Sequence, residues 1–168
     1  MKLARRDALT GLRNRRVFDY KLEEFIGGAR EEYSACLIVF DIDHFKKIND
    51  QFGHQVGDQL LKELGIAVNS RIRKSDRLYR IGGEEFAIIL TRSTIEKAIK
   101  VAEDVRELVQ RTQLVKERLV TISLGVASYQ EQESKLNWFE RCDNALYLAK
   151  REGRNQVKVA LIPQASEQ

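Results

Sequence analysis

The sequence has little of what ties a chain to secretion, metal staples or membranes. It contains two cysteines, Cys36 and Cys142, in 168 residues, with neither a CxxC pair nor a Cys/His cluster. That leaves no basis for a disulfide framework or a zinc site, and both thiols are expected to be reduced and structural. The single proline, Pro163, falls near the C-terminus, so no proline-rich linker divides the chain. The longest apolar run, Ala35 to Phe40, has six residues, against the roughly 20 that a membrane-spanning helix needs. No secretory h-region follows Met1, and a cytoplasmic location is expected, for the chain alone or as part of something larger. Neither the P-loop pattern nor GxGxxG occurs, which disfavours the common nucleotide-binding folds. The basic stretches lack interleaved aromatics and a recognition motif, so no nucleic-acid partner is expected.

What is present is charge, unevenly spread. The formal net charge is +4, yet residues 1–16 carry +5, residues 71–80 carry +4 and residues 150–158 carry +3, leaving −8 elsewhere. Basic segments of this kind are either solvated faces or parts of anion sites; if a metal is involved, the second reading needs acidic residues nearby.

Apolar spacing predicts one domain over residues 1–160, with a disordered tail at 161–168. Phe18, Leu22, Phe25 and Ile26 predict a helix over 14–30, and the run 35–40 a strand buried on both faces. Leu60, Leu61, Leu64, Val68 and Ile72 predict a helix over 57–73. Residues 76–81 and 85–90 read as a hairpin turning through Gly82-Gly83-Glu84. A helix from Ile95 to Val109, a strand from Leu119 to Ala127 and a helix over 135–151 complete an α+β sandwich, a sheet with helices interspersed. Trp138 is expected in the core, and Arg80 is expected to secure the hairpin by pairing with an acid. Asp7 or Asn14 is expected to cap or orient a turn at Thr10-Gly11-Leu12.

The chemistry concentrates at the end of the first strand. Asp41 and Asp43 are two residues apart and can face the same side, and ending an apolar strand with two acids is costly unless water or a cation compensates. Glu84 and Glu85 sit at the hairpin, where strand alternation lets at most one of them face Asp41. Hard carboxylates without His or Cys fit Mg²⁺ rather than zinc, and a divalent ion among carboxylates and phosphates implies phosphoryl or nucleotidyl transfer. The segment from His44 to Asp50 can begin a short helix whose first N–H groups, with Lys46, suit a polyphosphate. Asn49 and Asp58 are suited to a guanine edge, although taken singly Asn49 also reads as a turn residue and Asp58 as a helix cap.

Five blocks, in order, resemble one family. They are Asp7-Ala-Leu-Thr-Gly-Leu-Arg-Asn-Arg-Arg16, Phe40-Asp-Ile-Asp-His-Phe-Lys-Lys-Ile-Asn-Asp50, Gly53-His-Gln-Val-Gly-Asp58, Gly82-Gly-Glu-Glu-Phe86 and Ala149-Lys-Arg-Glu-Gly-Arg-Asn155. Together they resemble the GGDEF diguanylate cyclases in a GGEEF variant, over about residues 5–158.

The resemblance implies a palm-like, nucleotidyl-cyclase-related sheet and the condensation of two GTP into cyclic di-GMP and two pyrophosphates with Mg²⁺ or Mn²⁺. Asp41, the Ile42 carbonyl and Glu84 would hold metal, with Glu85 and Asp43 ranked next; Glu84 and Glu85 are the candidate catalytic acids. Lys46, Lys150, Arg154 and the backbone around Phe45 would grip the triphosphate, while Asn49 and Asp58 would read guanine. Relatives that make mixed cyclic GMP-AMP typically carry a small residue at the Asp58 position, so Asp here implies a preference for GTP. Two domains would face each other as a homodimer, at least transiently. Arg73 and Asp76 match the RxxD product-inhibition motif, with Arg106 as a third contact. Sensor domains usually precede this unit in the family, which implies a catalytic part of a larger protein. The competing reading is a catalytically silent module that binds cyclic di-GMP or GTP; retention of Asp41, Lys46, Asn49, Asp58 and Glu84 argues against it.

Overall fold

The computed structural model describes residues 4–28 and 34–163. Five helices and five strands follow in the order α1 (Arg15–Gly27), β1 (Ala35–Ile42), α2 (Phe45–Phe52), α3 (His54–Arg71), β2 (Arg77–Arg80), β3 (Glu85–Thr91), α4 (Ile95–Arg111), β4 (Ile122–Ser128), α5 (Lys135–Arg151) and β5 (Val157–Val159). The strands form one sheet in the order β2-β3-β1-β4-β5, antiparallel except where β5 runs parallel to β4.

β1 is the buried centre, with all eight residues inside, as its unbroken apolar run demands. Alternation splits its side chains between two layers. Cys36, Ile38, Phe40 and Ile42 pack with Leu60, Leu64 and Val68 of α3 and Ala98, Ala102, Val105 and Val109 of α4. Leu37 and Val39 pack instead with Phe18 and Leu22 of α1 and Trp138, Cys142 and Leu146 of α5. This is the α+β sandwich that the apolar spacing predicts. Asn14, Thr94 and Ser134 accept the N–H of the third residue after each, capping α1, α4 and α5.

Gly125 on β4 brings α5 onto the sheet. A Cβ there would lie 2.3 Å from the Cys142 carbonyl and 2.6 Å from the Leu146 amide, so only hydrogen allows this approach. Trp138 is fully buried and donates its indole N–H to the Ala127 carbonyl at 3.0 Å. Both cysteines are buried and free, and burial pushes the Cys36 thiol up to about 11 and that of Cys142 well above its usual range. They are inert packing residues.

The structure departs from the sequence expectations in its short elements and in element boundaries: β4 begins at Ile122 rather than residue 119. β5 went unrecognised because it has three residues, one of them Lys158, on a sheet edge. The segment after Asp43 is a helix of its own, α2, separated from α3 by Gly53 at φ 92°, so α3 begins at His54 rather than residue 57. Of the expected tail, residues 161–163 are exposed, and 164–168 lie outside the described residues. Among the described residues no helix is long and apolar enough to cross a membrane.

Candidate active site

At the carboxyl end of β1, alternation puts Asp41 on the α1/α5 layer with Leu37 and Val39. Its cross-strand partners are Glu85 on β3 and Ser123 on β4, so Asp41 and Glu85 share a face. Glu84 precedes the strand and escapes alternation, and its carbonyl accepts the Ile42 N–H at 3.3 Å. Both acids of the hairpin therefore lie in the field of Asp41, where the sequence allowed for one.

Electrostatics sets this cluster apart. Burial raises the carboxyl pKa of Asp41, and Asp143 and Asp43 add to it against the Lys150 ion pair. Burial and then the Asp41 charge raise Glu84. Burial, Asp41 and Asp143 push Glu85 up from 4.5 to about 7. Asp143 and Arg15, whose charge opposes the rise in Glu85, escaped the sequence reading. For Asp143 a signal existed: it lies two helical turns before Lys150 on α5 and so on the same face.

The hairpin turn is braced from a distance. Arg80 donates to the Gly83 carbonyl at 3.1 and 2.7 Å and to the Asp7 carboxylate at 3.0 and 2.9 Å. Asp7 also accepts the Thr10 amide at 2.8 Å and hydroxyl at 2.7 Å. The acid expected for Arg80 is thus Asp7, which also orients the Thr10 turn, while Asn14 caps α1.

The fit of a divalent cation rests on Asp41. Its Oδ2 pairs with Lys150 Nζ, while its buried Oδ1 has no hydrogen-bond partner, a costly arrangement unless something else takes that lone pair. Among the described residues no three His, Cys, Asp or Glu side chains converge as a ligand cage. Asp41, Glu84 and the Ile42 carbonyl remain as a hard oxygen set that water and phosphate oxygens would complete, which suits Mg²⁺ or Mn²⁺. Asp43 points into another network: its carboxylate accepts the Thr121 and Ser123 hydroxyls and the Asn155 amide.

A pH dependence follows from the cluster. An acid whose folded pKa lies above its unfolded value contributes stability that is full below about pH 4.5 and lost as pH rises through the folded value, about 7 for Glu85. Metal-free protein is therefore expected to lose about 1–2 kcal/mol of unfolding free energy between pH 5 and 8, a figure reduced for solvent access to Glu85. Urea titrations in EDTA check this. Glu85→Gln should flatten the slope, and an unchanged slope in that variant would remove Glu85 as its source.

The next element offers an anion cradle. His44, at φ 56°, turns the chain into α2, and the first helical bond runs from the Ile48 amide to the His44 carbonyl. The N–H groups of Phe45, Lys46 and Lys47 are left without helical partners. Lys46 is exposed and Phe45 buried. Burial, then the charges of Arg154, Lys47 and Arg118, lower the His44 pKa, so Arg154 acts at this helix start. Asn49 lies inside α2 and Asp58 inside α3, which removes the turn and cap readings of both. Asp58 is exposed, and Asn49 Oδ1 is buried without a hydrogen-bond partner.

Arg73 and Asp76 meet each other. The guanidinium grips the buried carboxylate at 3.1 Å through Nε and Nη2, with its own side chain 52% exposed. Arg106, expected as a third contact, pairs with Glu103, Glu107, Gln110 and Asn155 and makes no hydrogen bond to Arg73 or Asp76 among the described residues. Arg5, Arg6, Arg13 and Arg16 line a separate cleft of about 930 Å³, and a second of about 510 Å³ lies along α1 and β2. Neither cleft contains a carboxylate of the cluster.

Comparison with known proteins shows the family and the fold. The family model described as "Diguanylate cyclase, GGDEF domain" matches residues 4–156. The chain is 44% identical over 160 residues to the uncharacterized protein YhcK of Bacillus subtilis, covering 90% of this chain and 44% of that one. It is 42% identical over 163 residues to the probable diguanylate cyclase DgcT of Escherichia coli, covering 94% and 36%. It therefore spans less than half the length of these relatives. Among solved structures it resembles the GGDEF domain of DgcB from Caulobacter crescentus in complex with c-di-GMP, at a TM-score of 0.87 and 36% identity over 95% of this chain and 97% of that one. It also resembles the active GGEEF domain of a diguanylate cyclase from Vibrio cholerae, at 0.82 and 33% over 89% and 98%. With five motif blocks, the fold and the family model in agreement, the chain belongs to the GGDEF-domain diguanylate cyclase family.

Proposed function

We propose that this domain condenses two GTP molecules into cyclic di-GMP and two pyrophosphates, working as a transient pair of domains. The observation that carries the reading is the buried, unpartnered Asp41 Oδ1 beside two acids of raised pKa and a basic helix start. A bound Mg²⁺ or Mn²⁺ would polarise the α-phosphate and acidify the attacking 3′-OH. Asp41, Glu84 and the Ile42 carbonyl would hold that ion through oxygen atoms. Lys150, the counterion of Asp41, joins Lys46, Arg154 and the amides around Phe45 in binding the triphosphate. Asn49 and Asp58 take the guanine edge, the carboxylate accepting from N1–H and the exocyclic amine. Glu84 or Glu85 accepts the proton of the 3′-OH; the raised pKa of Glu85 suits it to proton transfer near neutral pH.

One site can present one α-phosphate, so forming two phosphodiester bonds in a ring requires a second copy facing the first. Purified protein incubated with GTP and Mg²⁺ and chromatographed for nucleotides should yield cyclic di-GMP. Its specific activity should fall at least tenfold on hundredfold dilution of protein. No product from folded, nucleotide-free protein at high concentration would favour a silent binding module, and flat specific activity would remove the paired-domain mechanism.

Arg73 and Asp76 form the proposed product site. The half-exposed guanidinium can meet a guanine edge or phosphate. Arg73→Ala is expected to raise the inhibition constant for cyclic di-GMP about 10- to 100-fold with the initial rate unchanged. Unaltered inhibition in progress curves would count against the site.

A further inference from the structure

The two acids that close β1 part company in the fold. Asp43 is 5% exposed. Its Oδ1 accepts the Ser123 hydroxyl at 2.6 Å, and its Oδ2 accepts the Thr121 hydroxyl at 2.8 Å and the Asn155 N–H at 3.0 Å. Three donors thus occupy most of the acceptor capacity of one carboxylate.

The Asn155 amide belongs to a turn of unusual backbone. Gly153, Arg154 and Asn155 have φ values of 121°, 63° and 45° in succession, a conformation that L residues other than isolated Asn or Asp rarely hold. The turn persists because it is tied on every side. The Arg154 N–H donates to the Ala149 carbonyl at 2.9 Å, closing the end of α5. Asn155 Oδ1 accepts Arg106 Nη1 at 3.1 Å, and its Nδ2 donates to Gln110 at 3.4 Å, both on α4. The Gln156 carbonyl accepts the Leu124 N–H at 3.0 Å, starting β5. Asp43 reaches this turn from the end of β1, two residues from Asp41.

We propose that Asp43 is a positioning residue which, with Arg106 on the opposite side of Asn155, locks the left-handed 153–155 turn and so aims Arg154 at the start of α2. The proposal rests on the reading of that helix start as the triphosphate site. Asp43 then acts on substrate affinity through backbone placement, with no direct part in holding a cation. Arg106 becomes the second half of the clamp rather than a contact of the RxxD turn.

Charge and geometry make different demands, and one substitution separates them. In Asp43→Asn the amide oxygen can still accept from Asn155 N–H and Thr121, while the NH₂ donates to Ser123, whose hydroxyl rotates to accept. The clamp survives and the charge does not. Asp43→Asn should therefore keep KM for GTP within threefold of wild type, with an unchanged Mg²⁺ requirement. Asp43→Ala should raise KM at least tenfold with a smaller change in kcat, and hydrogen exchange at residues 153–156 should become fast in it but not in Asp43→Asn. Should the alanine variant not fold, Arg106→Ala carries the test: it should raise KM for GTP and exchange at 153–156 while leaving inhibition by cyclic di-GMP intact.

A hundredfold loss in Asp43→Asn accompanied by an altered Mg²⁺ requirement would make Asp43 a cation ligand and overturn the proposal. So would Arg106→Ala with unchanged KM. If the wild-type domain makes no cyclic di-GMP, the cyclase reading falls, while GTP binding by calorimetry and hydrogen exchange in the same variants still decide the clamp.

Discussion

Asp41→Asn should abolish turnover, by at least about a thousandfold, in a domain that stays folded and becomes more stable without divalent cation. Asp41 is buried to 8% side-chain exposure, one of its oxygens has no hydrogen-bond partner, and its charge raises the pKa of both hairpin acids. Neutralising it without changing its shape relieves that repulsion. Lys150, its ion-pair partner, is 34% exposed and can be re-solvated. A gain of about 1 kcal/mol in EDTA is expected. Added Mg²⁺, which should raise the melting temperature of wild type by preferential binding to the folded state, should do so less in the variant. Paired measurements of product formation and urea unfolding check both halves. Activity within tenfold of wild type would remove Asp41 from the metal set, and a clear loss of stability would mean that its ion pair outweighs the repulsion.

Asn49→Ala and Gly57→Ala should give the same defect by different routes. Asn49 Oδ1 is buried without a partner, so truncating it breaks no internal hydrogen bond. A Cβ on Gly57 would stand 1.8 Å from that oxygen and 2.9 Å from the Asn49 Cγ, so alanine there must drive the amide out of its present position. Each variant is expected to lower kcat/KM for GTP about 10- to 100-fold, the range for losing a base-edge contact. Discrimination against inosine triphosphate, which lacks the exocyclic amine, should narrow as well. Asn49→Ala should leave stability unchanged or higher. If Gly57→Ala retains full GTP affinity, the side chain of Asn49 does not read the base from where it sits.

Local sequence determined the elements whose signals are local. The six-residue apolar run rich in strand formers read as a strand buried on both faces, and i, i+3, i+4 spacing fixed the apolar faces of α1, α3, α4 and α5 because side-chain direction follows backbone period. Gly82-Gly83 marked the hairpin, and the acids at its tip and at the end of β1 were legible as a candidate cation site because ending an apolar strand in paired charges is costly without compensation. What escaped was short or partnered at long range. β5 has too few residues to show a period, and Arg80 could be assigned an acid but not Asp7.

The five motif blocks by themselves identified the family and nominated nearly every site residue. Only the tertiary structure decided how those residues divide. Register puts Asp41 opposite Glu85 and Ser123, and packing at Gly125 brings α5 close enough for Lys150 to reach Asp41. Asp41 and Asp43, alike in sequence, separate into an acid with an unpartnered buried oxygen and an acid whose two oxygens both accept, from Thr121, Ser123 and Asn155. Arg106 donates to Asn155 of the 153–155 turn. Each outcome depends on donors and acceptors far along the chain, and no local pattern encodes which of them will be left over once the sheet has formed.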